Sequence, residues 1–335
     1  MSIFAANQTD HFGSTGGLYI SSEVIVYIRK FLVCPLGVGC NVLALIIFYR
    51  RPLKQCHITA YLVAMAFTDS VYLMSDTINE IIKIAKATST LYCKIAHYLA
   101  MVSSTCSDAL VASVAVHRSV AVSCPHKVKV IMTTKNALIA VGICFFLANG
   151  MYIHTFWLYI YDQDTGWCQH MHDIVQRVDA LILLLRSLVI LLVIMVSSFV
   201  IMVRLRQQRL LRDTMTAGLH NRSEQRDAQI GTLLLSISLL YLITNVPLAI
   251  FLLVESIYPW DDIDSFHYDL HHLLYVILYT LKNLNHALNF FIYCRAAAGF
   301  KEEVKEIRCR YKCKCKCHCN GGWNPSRRKI YAVQA

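Results

Sequence analysis

The sequence has little charge and lacks the short motifs on which most enzymes depend. Only 16% of its 335 residues are charged, whereas 56% are hydrophobic. It contains no glycine-rich phosphate loop, no His-Glu-x-x-His pair and no nucleophile elbow, and these absences argue against an enzyme. Segments 136–161 and 230–254 contain no Asp, Glu, Lys or Arg at all. A soluble domain of this size does not need such segments, so the sequence predicts a membrane protein.

Seven apolar stretches account for most of the chain, and we number them span one to span seven. Each reaches the roughly 20 mostly apolar residues that a helix needs to cross the hydrocarbon core. In order, the spans are Val24–Tyr49, Ile58–Ile82, Leu91–Val122, Asn136–Tyr159, Val178–Val203, Ile230–Val254 and Leu270–Tyr293. They predict an all-α membrane protein whose core is a seven-transmembrane helix bundle.

The formal charge is +11, and most basic residues lie in alternate connections between the spans. Of the 32 Lys and Arg residues, 23 fall in the ranges 50–54, 118–135, 204–226 and 301–329. Because basic residues accumulate on the cytoplasmic side, this distribution places the N-terminus outside and the C-terminus inside. A basic inner face attracts anionic lipid, so we expect membrane lipids rather than nucleic acid as its partner.

The spans divide the chain into an outer arm (1–23), a seven-transmembrane domain (24–294), a membrane-surface helix (295–310) and a cytoplasmic tail (311–335). No cleavable signal peptide is visible, because the first 20 residues lack a basic start and a continuous apolar core. Asn7 begins an Asn-x-Thr glycosylation acceptor on the side that we expect to be outside.

The segment after span seven predicts an amphipathic helix followed by a cysteine-rich tail. Phe300, Val304 and Ile307 fall at i, i+4 and i+7 beside basic residues, a spacing typical of a helix on the membrane surface. The cysteines that follow are Cys309, Cys313, Cys315, Cys317 and Cys319. Their position near the membrane predicts palmitoylation. A zinc site and unmodified thiols are the alternatives, although alternation with lysine is poor packing for a closed zinc site.

Two cysteines differ from the rest by compartment. Of the 14 in the chain, only Cys93 and Cys168 lie at outer span ends or in outer loops. Because disulfides persist in oxidising compartments, these two are the natural pair. Their bond would tie the outer end of span three to the second outer loop.

Several ionisable residues lie within the apolar spans, where each needs a physical reason. They are Asp69, Asp108, Arg186 and Lys282. A polar interior is expected of a receptor, a transporter or a channel, so it does not decide between them. A transporter would favour inverted repeats or Gly/Pro-broken spans in matching halves, and neither is visible.

The spacing of motifs along the spans is more specific. Arg118 follows Cys93 by 25 residues and precedes Pro125 by seven, and span seven ends in the run Asn285–Cys294. Asn41 in span one, Ala66–Asp69 in span two and Asn245-Val246-Pro247 in span six complete the pattern. Over about residues 24–310 the chain resembles the rhodopsin-like (class A) family of G-protein-coupled receptors. The end of span seven is most similar to invertebrate neuropeptide receptors, including the FMRFamide type.

The resemblance implies roles at the matching positions. Residues of the G-protein switch would be His117, Arg118, Ser119, Asp227, Pro247, Asn289 and Tyr293. An Arg118–Asp227 pair would hold span six inward at rest, and Pro247 would bend that span. A sodium ion, the one cofactor that the resemblance implies, would be held by Asp69, Ser107, Asn285 and Asn289.

The chain departs from the family pattern at several of these positions. His117 and Ser119 replace the acid and the tyrosine that usually flank the switch arginine. Phe290 replaces the proline of the Asn-Pro-x-x-Tyr motif, and Asn245 replaces the aromatic residue before Pro247. These changes leave the fold unaffected and predict a modified switch, with high basal activity as one outcome.

The resemblance also bears on the ligand. Ala100 stands where receptors for biogenic amines carry Asp, and Asn283 stands where opsins carry the retinal Lys, with Lys282 one place away. An acidic outer face suits a cationic peptide, and an ordinary solvated loop is the alternative. The candidate ligand-binding residues are Glu80, Glu255, Tyr275, Tyr279 and Lys282.

We therefore predict a multi-pass plasma-membrane receptor that binds an extracellular ligand and activates a heterotrimeric G protein. A neuropeptide is the expected ligand, a chemosensory small molecule is the alternative, and a transporter or channel is the alternative of another class. Arrestin is a weaker candidate partner, because Ser326 is the only Ser or Thr after Cys294.

Overall fold

The chain forms a bundle of long helices in the computed structural model. The structure describes residues 16–50, 58–84, 89–124, 128–162, 167–215, 239–255, 257, 265–296, 300 and 303–305. Spans one to seven comprise the helices Gly16–Ile28 with Cys34–Phe48, Thr59–Ile84, Thr90–Ser123, Thr134–Tyr152, Asp173–Met215, Leu239–Glu255 and Ser265–Ala287 with Asn289–Ala296. Short helices Val128–Ile131 and Thr155–Leu158 flank span four.

Four of the described helices are long and apolar enough to cross a membrane: Gly17–Phe48, Thr90–Ser123, Thr134–Leu158 and Ile174–Arg204. The described part of span six is a shorter apolar helix. Spans two and seven have sufficient length, but buried ionisable residues on their inner faces lower their hydropathy. The all-α seven-span bundle predicted from the sequence is confirmed.

Span three lies at the centre of the bundle and contacts spans two, four and five. In its most apolar window 61% of the residues are buried, against 22% to 33% in the other three apolar spans. Its inner face is built from small residues, including Ala100, Ser104, Ser107 and Ala115. Because small side chains let helix backbones approach closely in a membrane, this composition suits a central helix.

The outer surfaces of the spans carry large apolar side chains. Phe146 on span four and Phe199 on span five are 78% and 66% exposed within the chain. Such exposure would be costly in water, but lipid tails are as apolar as these side chains. The exposed apolar band and the polar interior therefore fit a protein surrounded by lipid.

Span one approaches spans two and seven through Gly37. A methyl group built on Gly37 would lie 2.7 Å from both the Ala287 Cβ atom and the Leu73 Cδ1 atom. Contacts this short do not occur between packed atoms, so only glycine allows this separation of the three spans.

Several boundaries differ from those predicted. Span one begins at Gly16 rather than Val24, and a π-helical turn, Arg29–Val33, divides it. Span five extends to Met215, and span seven bends at Leu288. The helix predicted after span seven is described only at Phe300 and 303–305, which are helical, and Phe300 is fully buried.

A β-hairpin between spans four and five was not predicted. Strands β1 (Tyr159–Asp162) and β2 (Trp167–His170) pair antiparallel, with Tyr161 opposite Cys168. The Tyr159 hydroxyl donates to Asp179 Oδ2 at 2.6 Å, and the His154 Nε2 and Asp179 Oδ1 atoms are 2.9 Å apart. Burial and the Asp179 carboxylate raise the pKa of Tyr159, so its phenol stays a donor. The hairpin is thereby joined to span five.

Candidate functional site

Asp69 is the centre of a polar cluster that links spans two, three and seven. Its carboxylate is fully buried. Ser107 Oγ donates to Oδ1 at 2.5 Å, and His286 Nδ1 lies 2.7 Å from the same oxygen. Asn289 Nδ2 donates to Oδ2 at 2.6 Å. Both carboxylate oxygens are therefore engaged by side chains from neighbouring spans.

This arrangement does not fit a sodium ion as predicted. Ser107 and Asn289 do meet Asp69, but both act as donors to it, and Asn285 makes none of its hydrogen bonds. His286 supplies the third contact, and an imidazole nitrogen is a poor ligand for a hard cation. If it is protonated, it also repels one. Sodium at this site stays an untested prediction that the observed donor set disfavours.

Two ion pairs join the π-helical turn of span one to span two. Arg29 Nε lies 3.6 Å from Asp76 Oδ2, and the Lys30 ammonium contacts the Glu80 carboxylate. All four side chains are buried. Because consecutive side chains diverge less in a π-helix, the turn at Arg29–Val33 helps both basic residues face span two.

These pairs change the prediction for Glu80. Its charge is compensated by Lys30 inside the bundle, so it does not contribute a free negative charge to the outer face. Glu255, at the outer end of span six, is half-buried. The acidic field expected to attract a cationic ligand is therefore weaker at Glu80 than the sequence suggested.

Three of the candidate ligand-binding residues share one face of span seven. Tyr275 and Tyr279 have ring centroids 5.8 Å apart, and the Arg29 guanidinium lies 4.6 Å from the centre of the Tyr279 ring. One turn further in, Lys282 Nζ lies 5.3 Å from the centre of the Tyr72 ring. The predicted group of Tyr275, Tyr279 and Lys282 thus lines the interior together, with Arg29 as an additional member.

A second polar cluster lies between spans three and five. Arg186 Nη2 is 3.4 Å from Asp108 Oδ2, and Arg186 Nη1 donates to Thr105 Oγ1. Within the part of the chain that the structure covers, neither Asp108 oxygen has a hydrogen-bond partner, and neither do Arg186 Nε and Nη2. Unlike Asp69, this cluster has unused hydrogen-bonding capacity.

Most of the predicted switch residues lie near the C-terminal ends of spans three and seven. The His117 ring packs edge-on against Tyr61 with centroids 5.5 Å apart, Arg118 is half-buried, and Ser119 Oγ donates to the Val116 carbonyl. Tyr293 packs against the Phe48 and Phe300 rings. Pro247 lies within the described helix of span six. Asp227 is outside the described residues, so the Arg118–Asp227 pair stays a prediction.

Other predicted sites are described only in part. Cys93 is fully buried, and its Sγ atom lies 3.6 Å from the Ile160 carbonyl oxygen of β1. Since β1 pairs with the strand that contains Cys168, the two cysteines belong to adjoining elements. The cysteine run that begins at Cys309 and the acceptor Asn7 lie outside the described residues. Their modification stays a prediction.

The family model described as 7 transmembrane receptor (rhodopsin family) matches residues 40–293. That match covers most of the chain, from span one to the end of span seven. The chain belongs to the rhodopsin-like receptor family. Receptors of this family are multi-pass membrane proteins that respond to extracellular ligands and signal through G proteins. A transporter, a channel and an enzyme are therefore disfavoured.

Comparison with curated proteins found no match. The narrower likeness to FMRFamide-type receptors thus has no further support, and it stays a prediction. Nothing in the family match identifies the ligand.

Three of the residues that organise the interior were not predicted from the sequence. Arg29 and Lys30 lie in the long apolar run of span one, where two adjacent basic residues are not conspicuous. The available signal was the spacing of Asp76 and Glu80, which are four residues apart and so lie on one face of span two. His286 was not predicted as a partner of Asp69, because the family pattern implies oxygen-bearing side chains at this site. An ionisable residue three positions before Asn289 was the available signal.

Proposed function

We propose that this receptor binds a peptide at its outer face and passes the signal to a G protein through spans three, six and seven. The N-terminus would be outside and the C-terminus in the cytoplasm, as the basic connections predict. The observation that carries the proposal is the match over residues 40–293 together with the interior of aromatic and charged side chains. The aromatic face of Tyr275 and Tyr279 supports a ligand with a large apolar part.

The proposed mechanism is a shift between two arrangements of the inner face. Arg118 would pair with Asp227 at rest, and agonist would favour the state in which span six moves outward around Pro247. Asp69 supports this coupling because it bonds to spans three and seven at once. A ligand that moves span seven would therefore act on span three through a chain of hydrogen bonds.

Three further features belong to the same proposal. A Cys93–Cys168 disulfide would hold the β-hairpin over the outer end of span three. The outer arm would be glycosylated at Asn7. Palmitoylation at Cys309, Cys313, Cys315, Cys317 and Cys319 would anchor the tail beside the surface helix, with lysines holding anionic lipid.

A small chemosensory ligand is the second candidate. The observation in its favour is the Lys30–Glu80 pair, which removes one charge from the acidic outer face that suited a peptide. A small ligand would lie among the aromatic and charged residues within the bundle rather than across the outer loops. The expressing tissue separates the two candidates: neurons favour a peptide, and a sensory epithelium favours a small molecule.

The direct test is nucleotide exchange by purified receptor in nanodiscs, measured on a panel of heterotrimeric G proteins. We expect exchange on at least one of them above the rate of empty nanodiscs. A folded receptor that accelerates exchange on none would contradict the proposed coupling. A screen of peptides on expressing cells, read through a promiscuous G protein, tests the ligand class.

The proposed Arg118–Asp227 pair is tested by Asp227→Ala. If Asp227 holds Arg118 at rest, removing the carboxylate should raise basal signalling several-fold at equal surface expression. Glu224→Ala, which removes an acid from the same inner loop, is the matched control and should leave basal signalling unchanged. Equal basal signalling in both variants and the native chain would argue against the proposed Arg118–Asp227 pair.

A further inference from the structure

Most buried charges of the described spans lie in ion pairs, but the charge of Lys282 does not. Among the described residues, the ion pairs between Lys or Arg and a carboxylate are Arg29–Asp76, Lys30–Glu80 and Arg186–Asp108, and the Asp69 carboxylate has the His286 imidazole beside it. Lys282, which is 3% exposed, is the buried cation of the described spans that has no ion pair. No described carboxylate lies within 4.0 Å of its ammonium group. A buried charge without a partner is costly, so Lys282 needs an explanation.

The surroundings of Lys282 compensate its charge only in part. Its ammonium lies 5.3 Å from the centre of the Tyr72 ring, a cation–π contact. The next residue, Asn283, is occupied: its Nδ2 atom donates to Asp76 at 2.8 Å, and its Oδ1 atom accepts from Tyr72 at 2.7 Å. Asp76 is already paired with Arg29. The local network thus offers Lys282 an aromatic face and no free carboxylate.

Arg186 offers unused donors in the same interior. Its Nε and Nη2 atoms are buried and, among the described residues, have no hydrogen-bond partner. Electrostatic interactions connect Lys282 with both Arg186 and Asp108. Lys282 also interacts electrostatically with Asp76, which is paired with Arg29. Three cations (Arg29, Arg186 and Lys282) therefore lie around two acids (Asp76 and Asp108), and Lys282 is the cation that has no ion pair of its own. Ordered water could satisfy the donors, but a neutral molecule cannot compensate the charge.

We propose that a carboxylate of the extracellular ligand binds between Lys282 and Arg186. A carboxylate supplies the missing negative charge and has several acceptor sites, which match the unused N–H groups. The inference rests on the proposed receptor function and adds the chemical class of the ligand. It also separates this chain from receptors for Arg-Phe-amide peptides, because an amidated terminus is neutral.

The first test needs no ligand. Lys282→Gln removes an uncompensated buried cation, so its melting temperature in nanodiscs should equal or exceed that of the native chain. If Lys282 instead has a sufficient partner within the bundle, the variant should melt at a lower temperature, and that result would overturn the proposal. Lys135→Gln makes the same chemical change at an exposed residue of span four and should leave the melting temperature unchanged.

The second test uses a matched pair of probes on the full-length receptor in nanodiscs, 3-phenylpropionate and 3-phenylpropionamide. The acid should raise the melting temperature in a concentration-dependent way, whereas the amide should not. The shift should vanish in Lys282→Gln and persist in Lys282→Arg and Lys135→Gln. A native receptor that responds equally to both probes, or to neither at millimolar concentration, would refute the carboxylate site.

A second pair of probes separates the possible sources of the carboxylate. Arg-Phe with a free carboxyl group and Arg-Phe-amide differ only at the C-terminus. Stabilisation by the free dipeptide beyond that of 3-phenylpropionate indicates a peptide, and an equal effect indicates a small organic acid. Stabilisation by the amide alone would contradict the inference. Basal nucleotide exchange in the same nanodiscs reports on the G-protein coupling independently, so a failure of either proposal can be recognised.

Discussion

Asp69 and Asp108 are both fully buried carboxylates on neighbouring spans, yet their surroundings differ completely. Asp69 is engaged by three side chains at 2.5 to 2.7 Å. Asp108 has one ion pair at 3.4 Å and, among the residues described, no hydrogen-bond partner for either oxygen. Of two chemically identical groups in one bundle, one therefore has both oxygens hydrogen-bonded to described residues and the other has neither.

The difference separates a structural junction from a binding region. A saturated carboxylate has no capacity for a new partner, so Asp69 can only transmit movement between the spans that it joins. Asp108 and Arg186 keep donors and acceptors unused at a cost that a folded protein seldom accepts without a ligand or water. The Asp69 cluster suits signal transmission, and the Asp108–Arg186 cluster suits recognition.

The largest effect should come from breaking the Asp108 pair. Arg186→Met removes the ion-pair partner of Asp108 and leaves Lys282 as a more distant cation, so we expect a loss of about 3 kcal/mol of stability, the lower end of the range for a broken buried pair. The measurement is thermal unfolding in nanodiscs. The double variant Arg186→Met/Asp108→Leu removes both charges and should recover most of the loss. If the single and double variants unfold alike, the ion pair is not what holds spans three and five together.

A smaller loss should follow the removal of the saturated carboxylate. Asp69→Ala strands the donors of Ser107, His286 and Asn289, at a cost of about 1 to 3 kcal/mol. Asp69→Asn keeps one carbonyl acceptor and should lose less. Both variants should also lower agonist-independent nucleotide exchange if Asp69 joins span seven to span three. Normal exchange in Asp69→Ala, at equal folded yield, would show that the junction does not transmit the signal.

The sequence predicts the bundle well because hydropathy is a property of whole segments. Seven long apolar runs have few alternatives to membrane helices, whatever their detailed contacts. Local departures are less predictable. The two strands of the β-hairpin are four residues long, which is too short to show a clear alternation of apolar and polar residues. Span one begins with Gly16 and Gly17, and because glycine has a low helix propensity, the sequence does not indicate that a helix starts there.

Several charged residues of the interior were predicted from the sequence, but most of the residues that they contact were not. Asp69, Asp108, Arg186 and Lys282 stand out as charges in apolar runs, but sequence spacing does not show that Arg186 reaches Asp108 while Lys282 does not. That distinction depends on how three spans are rotated against one another. The two contacts that span seven makes to Asp69 come from either side of its bend at Leu288, His286 before it and Asn289 after it.

The smallest and most specific effect concerns the cation at Asp69. If the imidazole excludes sodium, the native melting temperature should be the same in sodium and in choline at equal ionic strength. His286→Ser replaces the nitrogen by a small hydroxyl oxygen and vacates space, and sodium should then stabilise the variant. Ligand linkage gives about 1 kcal/mol when sodium is present at several times its dissociation constant.

The matched control for this experiment is His286→Ser combined with Asp69→Asn, which lacks the carboxylate and should not respond to sodium. His286→Asn tests whether the loss of the ring alone is sufficient. A native receptor that is already stabilised by sodium would contradict the exclusion, because His286 and the ion would then have to share one carboxylate. In that case the hydrogen-bonding capacity of Asp69 would not be filled by side chains, and Asp69 would no longer differ from Asp108 in this respect.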